Sequence, residues 1–287
     1  MNKNSKNINY WNKNLTQTWY SDKDLYSVQW FNELSRKRYE EIFEYKYKFA
    51  EFLYHRGEKV LDIGCGPGTD AAEYAKNGAI VSAIDLNEEQ IKITKKNFEV
   101  RKLEYHEILK ASTDNLPFED ESFDLIYCDG VLHHVPEIEK SIDEIYRVLK
   151  KDGKALIVLY RKGWKHYFKR IFIHGILKLK IFKYKFDFLK LTSEVSEVNG
   201  HTPLTRVLRK KQVLKLFSKF KNIKIERKRL GEFFDYAPYN SYVFPRLIKN
   251  VVTFLGLDFF LAEHWAISLN KKKVHKEKLK TIIFEKF

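Results

Sequence analysis

VLDIGCGPGT, residues 60–69, runs a hydrophobic strand straight into a glycine-rich turn that opens a helix. Gly64, Gly66 and Gly68 let the backbone take positive φ and come close to a ligand, where a Cβ would fill the ligand's space. Such a turn is a nucleotide-type cofactor loop. Position 69 is Thr, so the loop departs from the GxGxxG dinucleotide fingerprint, which argues against a nicotinamide cofactor.

Outward from this loop, short β-rich runs alternate with stretches of helical spacing, the signature of parallel βαβ units. Strands are expected at Lys59–Ile63, Ile80–Asp85, 105–109, Phe123–Asp129 and 154–160, and helices at Thr69–Lys76, Glu88–Val100 and 138–149. Asn87 with Gln90 has the pattern of a capping box, and Lys-Asp-Gly at 151–153 reads as the turn into the fifth strand. Further on, 211–220 reads as a helix, 223–230 as a strand and 265–269 as a closing strand. Ahead of the core, apolar positions over 30–53 recur every three or four residues, as an amphipathic helix or helix pair requires.

Two carboxylates follow in an order that suits one adenosine-bearing ligand across the strand ends. Asp85 ends the second strand in AIDLN, where it can accept both ribose hydroxyls, and Asp114 precedes LPF, where it can accept from the adenine amino group. Each such bond to a charged acceptor is worth roughly 1.5 to 3 kcal/mol.

With VLDIGCGPGTDAAEYAKNGAIVSAIDLN, LPFEDESFDLIYCDGVLHHVP and EIYRVLKKDGKALIVLY in order, residues 60–160, about a third of the chain, resemble the S-adenosylmethionine (SAM) binding core of class I methyltransferases. The nearest resemblance is to the methyltransferase type 11 group, with the ubiquinone and menaquinone biosynthesis enzymes. It implies an α/β fold: a Rossmann-like, seven-stranded, mostly parallel sheet with helices on both faces and an antiparallel last strand, for which 265–269 is the candidate. It also implies that Asp62, Gly64 and Gly66 cradle the methionine part, with Cys65 between them, and that Asp85 holds the ribose. Asp114, with Asn115 beside it, would take the adenine, Leu86 would pack on the base, and the backbone around Cys128 would hold the amino-acid end. Arg38 and Tyr39 match a position at which some members close over the cofactor.

His133 and His134 sit just past the fourth strand, where an acceptor would meet the sulfonium, and imidazole near pH 7 can remove a proton from a hydroxyl or amine. The alternative is a purely structural LHH strand ending. Asp129, His134, Tyr160 and His201 are candidate acceptor-side residues; Arg206 and His264 join them if the insertions fold over the pocket. The segments divide as an N-terminal helical arm or lid (1–55), the SAM-binding core (56–160), a basic aromatic insertion (161–210), the rest of the sheet (211–272) with a second insertion (231–263), and a basic tail (273–287).

Composition bounds the rest. The chain has 287 residues, 44% hydrophobic and 32% charged, which suits a soluble globular protein, and it holds no stretch of about 18 uncharged apolar residues to span a bilayer. The first residues carry no apolar core of signal-peptide length, so a cytoplasmic protein is expected. Cys65 and Cys128 read as reduced thiols, and neither has metal-ligand spacing. The net charge of +15 suits phosphates, yet Lys, Asn and Ile are abundant throughout, as compositional bias would make them. The expectation is an enzyme that methylates a small-molecule or lipid-like acceptor, foremost at oxygen, with SAM as cofactor and no nucleic-acid partner. The basic run at 163–191 either docks peripherally on an anionic membrane or forms a plain lid. An RNA methyltransferase and a non-catalytic SAM-binding adaptor are the alternatives. The pattern sets no oligomeric state.

Overall fold

The computed structural model describes residues 10–11, 15–17, 21–163, 204–228 and 264–271. Most of the basic insertion, the second insertion, the tail and His201 lie outside the described residues.

The amphipathic stretch at 30–53 folds as two helices, α1 (Val28–Arg36) and α2 (Glu44–Phe49), joined by a π-helical turn over Lys37–Ile42. Ser27 caps α1 by accepting the Trp30 N–H at 3.1 Å. Arg38 and Tyr39, consecutive in that turn, are both buried. Trp30, Phe31 and Leu34 anchor α1 to the body through Ile93.

The core elements then follow in chain order: β1 (Lys59–Ile63), α3 (Thr69–Lys76), β2 (Ile80–Asp85), α4 (Glu88–Val100), β3 (Glu107–Lys110), β4 (Phe123–Asp129), α5 (Ile138–Val148), β5 (Leu149–Tyr160), α6 (Lys210–Leu216), β6 (Lys221–Lys228) and β7 (His264–Asn270). They make one seven-stranded sheet in the order β3-β2-β1-β4-β5-β7-β6. Strands β1 to β5 run parallel, and β7 is antiparallel to both β5 and β6. This is the expected sheet, with the closing strand one residue longer at each end than 265–269.

Helices cover both faces, which is why the central strands read as unbroken apolar runs. On one face Ala71, Ala72, Tyr74 and Phe98 pack on Val60, Val81, Ala83 and Leu125. On the other, Ile142, Ile145, Val148 and Val213 pack on Leu61, Ile126, Ile157 and Ile267. Strand order reverses between β1 and β4, and the crevice beyond their carboxyl ends is where α/β sheets take ligands.

Two local expectations need correction. The 151–153 turn does not precede β5; Phe123 pairs with Leu149 and Leu125 with Lys154, so the Lys-Asp-Gly segment bulges out inside a longer strand. The capping box at α4 does not close either. Asn87 accepts the Glu89 N–H at 2.8 Å, but the Gln90 amide turns away to Thr16 at 3.1 Å. Among the described residues no helix is long and apolar enough to cross a membrane.

Candidate active site

The glycine turn is stitched to the neighbouring strand: the N–H groups of Gly64 and Cys65 both donate to the Ile84 carbonyl, at 2.8 and 3.0 Å. Gly64 has φ of +72°, and a Cβ there would lie 2.2 Å from Val131 Cγ2, so both conformation and space require glycine. The Gly66 N–H donates to Asp85 Oδ2 at 3.0 Å and the Asn87 N–H to Oδ1 at 2.8 Å. These bonds aim the carboxylate. Burial raises the Asp85 pKa, and the backbone donors oppose that rise.

Above the turn lies a cavity of about 280 Å³ across the carboxyl ends of the strands. Asp62, Gly64, Cys65, Asp85, Leu86 and Asp114 line it. Phe43, Asp129, Val131, His134, Tyr160 and His264 line it as well. Gly66 contributes through its backbone bond to Asp85, without lining the cavity. Cys128 is fully buried inside the sheet, Asn115 sits outside the lining, bridged to Ser112, and Tyr39 stands behind the wall with its hydroxyl on Asp70 Oδ1 at 2.6 Å. Arg206 also stays off the wall; its guanidinium holds the Val135 and Pro136 carbonyls and fixes the loop after β4.

The floor is a buried network of charges. Arg38 donates from Nε to Asp70 Oδ1 at 3.0 Å and from Nη2 to Asp70 Oδ2 and, at 2.7 Å, to Asp129 Oδ2. Lys46, whose ammonium lies 3.7 Å from the centre of the Phe43 ring, also donates to Asp129 Oδ2. Burial and the nearby Arg38 pull the Lys46 pKa down to about 8 against the attraction of Asp129. For Asp129, burial raises the pKa, but Lys46 and Arg38 win and hold it below the usual carboxylate value. Among the described residues Asp62 has no cation in contact and its Oδ2 no hydrogen-bond partner; burial, then Asp70, push its pKa well up.

The two histidines separate. His134 lines the cavity, and its Nδ1 faces the Leu204 carbonyl at 2.8 Å; a carbonyl only accepts, so Nδ1 carries the proton and Nε2 the basic lone pair. Burial lowers its pKa to about 4, so the ring is neutral at pH 7. His133 does not reach the cavity, which corrects the expectation for the pair. It is completely buried behind Tyr160, stacked at 3.8 Å between ring centres, and neither nitrogen is hydrogen-bonded among the described residues.

Sequence reading missed Lys46, Asp70, Gln90 and the arm residues Trp11, Thr16 and Gln17, all of which line the cavity. Lys46 had a usable signal: it follows Tyr39 and Phe43 on one helical stripe and breaks that apolar face with a charge. Trp11, Thr16 and Gln17 carry no periodicity. Their placement depends on contacts with Asn87, Gln90 and Thr69, more than 50 positions away.

A family model described as a methyltransferase domain matches residues 61–157. Phosphoethanolamine N-methyltransferase 2 of Caenorhabditis elegans is 32% identical over 156 residues, which cover 52% of this chain and 35% of that one. Demethylmenaquinone methyltransferase of Clavibacter sepedonicus is 33% identical over 123 residues, covering 40% and 49%. The chain thus spans half or less of the length of these two relatives. The solved structure of the PH0226 protein from Pyrococcus horikoshii superposes with a TM-score of 0.52 at 18% identity, over 88% of this chain and 98% of that one, a likeness of fold. Residues 61–157 therefore match a methyltransferase domain, and they are carried on a seven-stranded, mostly parallel α/β sheet of the Rossmann-like methyltransferase fold.

Proposed function

We propose that the protein uses SAM to methylate a small-molecule, lipid-like acceptor at a hydroxyl oxygen. The observation that carries this reading is one cavity at the point where strand order reverses, whose wall combines aimed carboxylates with aromatic rings and a histidine.

The residues present fit the cofactor. Asp62 Oδ2 is a buried acceptor on the cavity wall without a partner, as an α-ammonium group requires. Asp85 keeps lone pairs beyond those its two backbone donors use, as a diol requires. Asp114 on the wall offers an acceptor to an adenine amino group. When bound, SAM supplies a methyl carbon on a positively charged sulfur, already activated for displacement.

What remains for the chain is alignment and exclusion of water, which together can lower a barrier by several kcal/mol. His134 Nε2 accepts the hydrogen of the acceptor's hydroxyl and turns an oxygen lone pair toward the methyl group. Phe43, Tyr160 and Trp11 give the wall aromatic surface that suits an apolar acceptor. The two relatives are named for different acceptors, phosphoethanolamine and demethylmenaquinone, so the acceptor class rests here on the cavity wall. The basic run at 163–191 supports a peripheral approach to an anionic membrane, from which such an acceptor would be drawn.

The test is calorimetric titration of SAM and S-adenosylhomocysteine into the protein and into Asp85→Ala, followed by turnover on quinone-like phenols and lipids. Binding that is lost in the variant, with O-methylated product, is expected. Absence of binding to the unsubstituted protein would overturn the reading.

A further inference from the structure

Among the described residues, two buried side-chain acceptors on the cavity wall have no hydrogen-bond partner: Asp62 Oδ2 and Gln90 Oε1. The first is accounted for above. The second belongs to a side chain that is 2% exposed, in the first turn of α4, five residues beyond Asp85. An amide oxygen in that position costs roughly 1 to 3 kcal/mol if nothing ever donates to it. The other end of the same amide is engaged, since Nε2 donates to Thr16 Oγ1 at 3.1 Å.

Thr16 belongs to an N-terminal strap whose described residues Trp11, Thr16 and Gln17 line the cavity. Its Oγ1 would lie 2.8 Å from a Cβ placed on Gly66, so the strap touches the glycine turn itself. Gln17 Oε1 accepts from the Thr69 hydroxyl at 3.1 Å, and the Trp11 carbonyl accepts from Asn87 Nδ2 at 2.7 Å. The strap is therefore held by polar groups that flank the ligand space, besides the packing of Leu15 against the Trp30, Phe31 and Leu34 cluster and of Trp11 against His134. Gln90 joins the two systems through one planar group.

We propose that Gln90 is a cofactor-binding residue whose amide oxygen accepts a hydroxyl hydrogen of the nucleoside sugar while its NH₂ holds Thr16, so that occupancy of the site and seating of the strap are linked. A sugar hydroxyl is the donor because Asp85, the neighbouring acceptor on the same wall, is the group aimed at the sugar. A ligand that fixes the amide orders the donor that Thr16 needs, and by reciprocity a seated strap tightens the ligand. The inference rests on the proposed SAM site.

The probe is S-adenosylhomocysteine, titrated calorimetrically into the full chain, Gln90→Met and Thr16→Val, with hydrogen exchange read on the peptide spanning residues 10–17. Met keeps the bulk of Gln and the helix, and thermal melting checks that each variant is folded. Gln90→Met should bind roughly 5- to 30-fold more weakly, the usual cost of a hydroxyl left without its acceptor. The ligand should slow exchange of the strap peptide in the unsubstituted chain and leave it unchanged at saturation in Gln90→Met. Thr16→Val should lose the same protection. A 2′-deoxy or 3′-deoxy analogue should lose less affinity in Gln90→Met than in the unsubstituted chain, because one partner of the bond is already gone. Equal affinity of Gln90→Met and the unsubstituted chain would overturn the sugar contact. Equal strap protection in the two at saturation would overturn the linkage. No binding to the unsubstituted chain would instead overturn the SAM reading, a result distinct from both.

Discussion

Arg38 and Asp129 meet at 2.7 Å across 91 positions of sequence, joining the π-helical turn before the core to the carboxyl end of β4. Lys46 reaches the same carboxylate oxygen from α2. One aspartate thus holds the N-terminal helices against the sheet, with the side chains of all three residues about 5% exposed.

Removing that carboxylate should be costly because two buried cations lose a counter-charge. Asp129→Asn is expected to lower unfolding stability by about 3–5 kcal/mol, the usual cost of breaking a buried pair from one side. Asp129→Asn with Lys46→Met should recover part of the loss, since one uncompensated charge leaves with its partner. Urea denaturation of the three proteins checks this; a single variant within about 1 kcal/mol of the parent would mean that the network does not hold the helices.

Gly64→Ala should fail twice over. At φ of +72° a Cβ is strained, and it would lie 2.2 Å from Val131 Cγ2 on the cavity wall. A drop in melting temperature together with loss of S-adenosylhomocysteine binding is expected. Alanine at Gly130, also on the cavity wall, offers a control for stability, because a Cβ there meets no protein atom within 4 Å and only its positive φ of +79° is strained. A Gly64→Ala protein as stable as Gly130→Ala would remove the steric argument.

The contrast between these two sites marks how far sequence reads. The turn around Gly64, the carboxylate at Asp85 and the strands beside them were legible because each is set by local pattern, a strand followed by glycines or an acid at a strand end. Arg38 and Asp129 were each suspected singly, but their bond was not, since nothing local pairs residues from a pre-core helix with the end of β4. Lys46 was lost to a periodicity reading that weighs apolar positions and passes over the charge among them. The β5 bulge escaped for a similar reason: Lys-Asp-Gly has turn chemistry, and only pairing with Phe123 and Leu125 turns it into an irregular strand.

Acid should destabilise the protein through its histidines. Burial, reinforced for His133 by the neighbouring His134, holds both rings below the ordinary value of 6.5, and His134 near 4. At these two rings the unfolded chain therefore binds more protons between about pH 4 and 6.5, and their contribution to stability falls as pH drops through that window, against the opposite contribution of Asp62, Asp85 and His55, whose pKa values the fold raises. His133→Phe keeps a ring to stack on Tyr160 and removes two buried nitrogens without partners. It should gain about 1 kcal/mol at pH 7 and lose less stability on acidification. Melting curves from pH 7 to 4 decide it: a His133→Phe protein that tracks the parent at every pH would show that His133 does not carry the acid sensitivity.

His134 should separate chemistry from cofactor affinity. Its Nδ1–H is committed to the Leu204 carbonyl, which leaves Nε2 as the basic nitrogen of a neutral ring on the cavity wall. A ring held near pKa 4 is too weak to strip a proton from a resting hydroxyl; it acts late, as the oxygen becomes acidic on gaining the methyl group. His134→Ala should then lower kcat by roughly 10²-fold, at the low end for a positioned base, while S-adenosylhomocysteine binds as before. His134→Gln, which can also accept a hydrogen bond, should recover part of the rate if orientation is the larger contribution. Acceptors that are already ionised at the assay pH should show little loss in either variant. Equal loss on ionised and neutral acceptors would assign His134 to shaping the wall, and an unchanged kcat in His134→Ala would take it out of the reaction.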